Sequence, residues 1–171
     1  MDPVRPLTVA DAEVLAGLLR RNRDFLRPFE PERPDGYATP EGQRRWLAEK
    51  DAQQAAGGGY AYGIVDGGEL VGSIVLSNVT RGAFESANVG YWVDAQHNGR
   101  GLATRALAAV VEQAFGPIGL HRLEAGTLVD NVASQRVLEK NGFVRIGVAP
   151  AYLRIAGEWR DHVLFQRIAG L

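Results

Sequence analysis

Chemistry is most legible between Gly90 and Thr104, which reads Gly-Tyr-Trp-Val-Asp-Ala-Gln-His-Asn-Gly-Arg-Gly-Leu-Ala-Thr. The order is that of a strand, a short turn containing glycine, and the start of a helix. Glycines at 99 and 101 let the backbone approach a ligand closely. The unpaired N–H groups and positive end of the helix complement a pyrophosphate without needing a basic patch. A helix start punctuated by glycine and holding no ligand has the same spacing, so Gly-x-Gly alone does not decide between them. A dinucleotide-binding fingerprint fails, because Thr104 stands where the third glycine belongs and the acid Glu124 comes early. A P-loop fails for want of a Gly-Lys-Ser/Thr ending.

The surrounding elements must position this turn. Val4 to Leu7 is short and extended; Thr8 then caps a helix with Val9, Ala12, Leu15, Leu18 and Leu19 at helical spacing, ending near Asn22. Phe25 to Tyr37 carries three prolines, a glycine and three acids and reads as a loop with exposed aromatics. Thr39-Pro40 opens a polar helix running through Ala56, anchored by Trp46 and Leu47 and stopped by Gly57-Gly58-Gly59. Tyr60–Val65 and Leu70–Val79 are strands joined by the hairpin signal Asp66-Gly67-Gly68-Glu69. Phe84–Val93 is a third strand and Gly99–Phe115 a helix with Ala103, Leu107, Val110, Val111 and Ala114 on one face. Leu123–Val129 is a strand, Asn131–Lys140 a helix closed by Asn141-Gly142, and Phe143–Val148 and His162–Ile168 are strands. Hairpins first, then strands alternating with helices, predict an α/β (α+β) fold: a mixed sheet with helices on both faces.

A chain of 171 residues with 46% hydrophobic and 8% aromatic content suits one domain spanning 1–171. Charged residues at 23%, spread along the chain, are too ordinary for disorder. Nineteen Lys plus Arg against twenty Asp plus Glu leave a net charge of −1, which argues against nucleic-acid binding through a broad basic face. The absence of cysteine removes disulfides, thiolate metal sites and cysteine nucleophiles together. No apolar run approaches roughly 18 residues, so no membrane segment and a cytoplasmic location are expected. His97, His121 and His162 lack metal-ligand spacing and read as structural or solvent-facing. Metal ligands: none.

Gln96-x-x-Gly99-x-Gly101-Leu102-Ala103 resembles the acetyl-coenzyme A signature of the GNAT superfamily of N-acetyltransferases. Asn131-x-x-Ser134-x-x-Val137-Leu138-Glu139-Lys140-Asn141-Gly142-Phe143 resembles the asparagine-to-Gly-Phe block that follows the fifth strand there. Gly90-Tyr91-Trp92-Val93 and Gly157-Glu158-Trp159-Arg160-Asp161-His162 are similar to the ribosomal-protein-alanine acetyltransferase (RimJ/RimL) branch. The resemblance implies a splayed, mostly antiparallel sheet and acetyl-CoA as cofactor. It places the backbone around Val93 on pantetheine, Gln96, Asn98, Gly99, Arg100, Gly101, Leu102, Ala103 and Thr104 in the pyrophosphate turn, and Asn131 either on the pantetheine arm or as a helix cap.

By the same resemblance Ser134 holds or protonates the departing thiolate, replacing a tyrosine whose position here is Leu138. An attacking amine must be neutral, so a proton acceptor is required. The glutamate positions used by relatives hold Ile146 and Gly126, leaving Glu85 and Glu124 as strand-associated acids, or a water relay. Phe29, Glu30, Tyr37 and Tyr91 are expected at the acceptor, with the 25–37 loop as an acidic, aromatic-edged wall against a cationic amine. The expected reaction is direct attack by a primary amine within a ternary complex. The amine is a protein N-terminus, ribosomal or other, by this resemblance. Small-molecule amines (polyamines, amino acids, aminoglycosides) and a non-catalytic acyl-CoA-binding domain stay open, as does a homodimer through the C-terminal strands or loops.

Overall fold

The computed structural model describes residues 2–171. Seven strands form one sheet in the order β1-β2-β3-β4-β5-β7-β6. In chain order they are β1 (Val4–Pro6), β2 (Tyr60–Asp66), β3 (Glu69–Thr80), β4 (Ser86–Val93), β5 (Arg122–Leu128), β6 (Val144–Ile155) and β7 (Glu158–Ile168). All neighbours are antiparallel except β4 and β5. That parallel pair is short: register partners run only from Ser86↔Arg122 to Asn88↔Glu124. Beyond Asn88 the two strands part, so Gly90–Val93 and Gly126–Leu128 become the lips of a split in the sheet.

The helices are α1 (Ala12–Arg21), α2 (Arg23–Leu26), α3 (Pro40–Ala55), α4 (Leu102–Phe115) and α5 (Val132–Lys140). Helix α4 buries Leu102, Ala106, Leu107, Val110, Val111 and Ala114 against one face of the sheet, where Leu138 of α5 joins Ile74, Leu76, Leu123 and Phe165. Leu15 and Leu18 of α1 and Leu47 of α3 pack with Ala61 and Leu70 on the other face. Each fully buried Leu or Phe contributes about 1.5–3 kcal/mol of apolar transfer, so this two-sided core fixes the sheet while leaving the split between β4 and β5 uncovered.

Local chemistry sets the boundaries. The β2–β3 hairpin closes through Gly67 (φ 60°) and Gly68 (φ 92°), the two positive dihedrals a tight hairpin needs. The first helix starts later than Thr8, because Val9–Asp11 forms a 3-10 turn. There the Asp11 carboxylate accepts hydrogen bonds from the Thr8 N–H at 2.8 Å and from Arg5. Phe25 to Tyr37 is not all loop: Phe25 and Leu26 end α2, and Arg27–Phe29 is a 3-10 helix. Pro28 is tolerated in that first turn, where its missing N–H has no bond to lose. The strand expected from Phe84 begins only at Ser86, the helix expected from Gly99 begins at Leu102, and both C-terminal strands are longer than predicted. No helix among the described residues is long and apolar enough to cross a membrane.

Candidate active site

The turn after β4 is organised by Asp94, whose side chain is completely buried. Its carboxylate accepts hydrogen bonds from Arg21 at 2.5 Å, Asn22 Nδ2 at 2.9 Å and His97 Nδ1 at 2.9 Å. Burial opposes its charge, but Arg21, Asn22, His97 and the Gln96 N–H outweigh that and hold the carboxyl down at about 2. Asn22 closes the ring by accepting from the Ala95 N–H at 2.8 Å. The C-terminal end of α1 is thus locked to the start of the turn.

Gly99 (φ 76°) and Gly101 (φ 72°) then turn the chain through the left-handed region, and Gly101 caps α4 without any side-chain bond. The first intrahelical donor is Arg105, to Gly101 O at 3.1 Å, so the N–H groups of Leu102, Ala103 and Thr104 have no partner within the helix. They open on a cleft of about 540 Å³ lined by Tyr91–Val93, His97–Gly99, Gly101–Thr104, Asn131, Ser134 and Val137. Phe25, Leu26 and Phe29 close it from the α2 side, and Arg136 and Lys140 of α5 bring two cations to it. Free amides, a positive helix end, two side-chain cations and an open space beside Gly99, where an added Cβ would meet nothing within 4 Å, fit a pyrophosphate-bearing ligand.

Above the split, the Tyr91 hydroxyl lies 3.0 Å from Ser134 Oγ and 3.2 Å from the Ser134 carbonyl oxygen. Burial pushes the Tyr91 phenol up to about 12, with the Ser134 hydroxyl pulling the other way. The pair therefore stays protonated through the neutral range and can deliver a hydrogen bond to developing negative charge. Asn131 does what its cap reading predicted, accepting from the Ser134 N–H at 3.2 Å, and it lines the cleft as well.

Several expected site residues lie elsewhere. Arg100 turns away to bind Asp66 on the β2–β3 hairpin at 2.7 Å, the Gln96 side chain is exposed, and neither residue lines the cleft. Glu85 sits just before β4 at the end opposite Val93, tied to Arg81 at 3.0 Å and to the Gly82 N–H at 2.8 Å, outside the cleft. It pins a tight corner at φ 40°, and Arg81 keeps its carboxyl below the usual range. Glu124 holds the last rung between β4 and β5 and points to the sheet face opposite Ser134. Glu30 and Tyr37 line a separate hollow of about 810 Å³ with Arg20, Arg23, Arg27 and Arg33, whereas Phe29 reaches the cleft.

The cleft residues that sequence does not single out as functional include His97, Arg136 and Lys140. Only the i, i+4 spacing of Arg136 and Lys140 on α5 could have signalled them.

Residues 4–144 match the acetyltransferase (GNAT) domain family. The probable N-acetyltransferase YjcK of Bacillus subtilis is 43% identical over 161 residues, 93% of this chain and 89% of that protein. A ribosomal-protein-S5-alanine acetyltransferase from Vibrio fischeri superimposes with a TM-score of 0.94 at 34% identity, over 98% of this chain and 92% of that one. RimJ of Mycobacterium smegmatis, solved in complex with CoA-disulfide, gives 0.92 at 33% identity, over 97% of this chain and 81% of that one.

Proposed function

This chain belongs to the GNAT acetyltransferase family, and we propose from that premise that it transfers the acetyl group of acetyl-CoA to a primary amine. The amine of choice is the N-terminal α-amine of a protein, in keeping with the ribosomal-protein acetyltransferase named among its relatives. The observation that carries the reading is the meeting of Ser134 and Tyr91 at the sheet split, beside the free amides of α4. Leu102, Ala103 and Thr104 would hold the pyrophosphate through their N–H groups, with Arg136 and Lys140 neutralising its charge. The lip strand 91–93 would hydrogen-bond the pantetheine arm in place of its lost β5 neighbour. Acetyl-CoA supplies an activated thioester.

The chain's own groups then act on charge and geometry. Tyr91 fixes the Ser134 rotamer, and the Ser134 hydroxyl donates to the departing sulfur. Phe25, Leu26 and Phe29 keep water from the thioester. The chain has no cysteine nucleophile and Ser134 is assigned to the leaving sulfur, so direct attack by the amine within a ternary complex is the mechanism of this reading.

The test is thiol release from acetyl-CoA against peptides beginning with Ala, Ser or Met, alongside polyamines and aminoglycosides. Turnover confined to peptides is expected. Turnover confined to the small amines refutes the acceptor class, and tight coenzyme A binding with no release across the panel refutes catalysis.

A further inference from the structure

Extending the β4–β5 register past its last rung sets Gly90 across the split from Gly126. Both glycines are exposed and face away from α4 and α5, on the sheet side where Trp92 and Val75 pack with α1 and α3. At this first step past the last rung the split is thus bare of side chains on the face opposite the cleft, leaving a gap between Gly90 and Gly126 through which an acceptor can reach the thioester.

Two rings, His162 and Tyr152, stand at the opening. A Cβ on Gly126 would lie 3.6 Å from His162 Cδ2 and 3.7 Å from Tyr152 Cε1. His162 is 3% exposed, pairs with Leu128 across β5, and packs its ring against Tyr152 at 5.6 Å between centroids. Its Nδ1 lies 3.0 Å from the Arg160 carbonyl oxygen, which can only accept, so Nδ1 carries the proton. Ring carbon Cδ2, the neighbour of Nε2, is the His162 atom nearest Gly126, and Nε2 makes no hydrogen bond to protein among the described residues.

We infer that His162 is the general base of the acetyl transfer, taking the place of the carboxylates that Ile146 and Gly126 do not supply; this rests on the acetyltransferase reading above. The incoming ammonium gives one proton to Nε2. The nitrogen lone pair forms the amide bond to the acetyl carbon as the carbon–sulfur bond breaks. The second nitrogen proton passes to the Ser134 oxygen as that hydroxyl gives its own proton to the sulfur, so coenzyme A leaves as the thiol, Ser134 is restored, and His162 returns its proton to solvent. Few other charges face the ring. Tyr152 comes from β6, and Glu124 shares the β5 face; Asp161 is engaged by the Ala151 N–H at 2.8 Å, and Arg160 lies 3.6 Å from Asp130.

Two measurements test this. Long-range 1H–15N spectra of the histidine rings of the wild-type protein, which need no acceptor, should show neutral His162 protonated at Nδ1; an Nε2–H ring overturns the assignment. In the thiol-release assay, H162Q should lower kcat about 100-fold, in the range a general base contributes. It should also flatten the acid limb of the kcat/KM profile and leave coenzyme A affinity within about twofold of wild type (under ~0.5 kcal/mol). A wild type that turns over and an H162Q that matches it in rate and pH profile refute His162 alone. A wild type silent toward every acceptor refutes the acetyltransferase reading and this inference with it.

Discussion

Replacing Asp94 by Asn probes the joint between α1 and the phosphate turn without changing its size. The native carboxylate only accepts, and Arg21, Asn22 and His97 all donate to it. An amide offers one accepting oxygen and presents a donating NH2 to the remaining donors. Arg21 is 48% exposed and can swing into water, so its loss costs on the order of 1 kcal/mol or less. Asn22 is 2% exposed and cannot, and a buried donor left facing a donor costs about 1–3 kcal/mol. The expected loss is about 2–4 kcal/mol, or roughly 5–12 °C in Tm for a domain of this size.

The pH dependence follows from the sign of the shift. The folded carboxyl titrates at about 2, below its ordinary 3.8, so the stabilisation is complete above the ordinary value and is lost as pH falls toward about 2. Urea unfolding of wild type and D94N should therefore differ by a constant amount at pH 6–8 and converge in acid. Because the turn carries the free amides of α4, D94N should also weaken coenzyme A binding. A Tm within 1 °C of wild type, with unchanged coenzyme A affinity, would show that this buried ring does not hold the turn.

Further expectations concern the cleft itself. Gly101→Ala imposes a side chain at φ 72° with its Cβ 3.4 Å from Arg105 Nη1, so it should cost about 1 kcal/mol in denaturant unfolding. It should also raise the calorimetric Kd for coenzyme A several-fold; unaltered binding would move the pyrophosphate elsewhere. Ser134→Ala and Tyr91→Phe should each reduce kcat more than coenzyme A affinity, and the double variant should be little worse than either; multiplicative losses would show that the two hydroxyls act independently. Since the folded Tyr91 phenol titrates near about 12 against an ordinary 10, wild type should lose stability relative to Y91F as pH rises from 10 toward 12, and parallel unfolding curves would contradict that. Reversing Arg136 and Lys140 to Glu should weaken coenzyme A binding and reduce its salt dependence, and affinity equal to wild type at both low and high ionic strength would take those cations out of the site.

The fold was legible wherever local chemistry constrains the chain. Gly67-Gly68 announced the hairpin, Thr39-Pro40 the start of α3, and the glycines before Leu102 the turn into α4. The full length of β6 is hidden in the sequence because β6 is the sheet edge. Val144, Ile146 and Val148 are about half exposed there, so no buried face enforces alternation, and Pro150 falls in a register break between Ala149 and Leu153. The cleft was legible as a turn but not as a ring around Asp94, because Arg21 and Asn22 lie more than seventy residues away and no spacing links them. Glu85 and Glu124 attracted attention as strand acids; only the sheet register shows one at a distant corner and the other on the opposite face. His162 looked structural from its position, and its relation to Gly126 exists only once β5 and β7 are paired.

The parting of β4 from β5 means that the sheet is two plates, β1–β4 and β5–β7–β6, joined by three rungs and by α4 lying across both. Unpaired backbone groups along both lips are a deficit that the polypeptide cannot make good from within. A ligand threaded between the lips acts as a stitch, and the work of parting the plates then includes removing it. Such coupling adds RT ln(1 + [L]/Kd) to the unfolding free energy, about 2.7 kcal/mol at a hundredfold excess over Kd. With such a ligand bound, the endurance of the fold against heat or protease would follow the free concentration of whatever fills the seam, and the lifetime of the molecule would be tied to the supply of its own ligand.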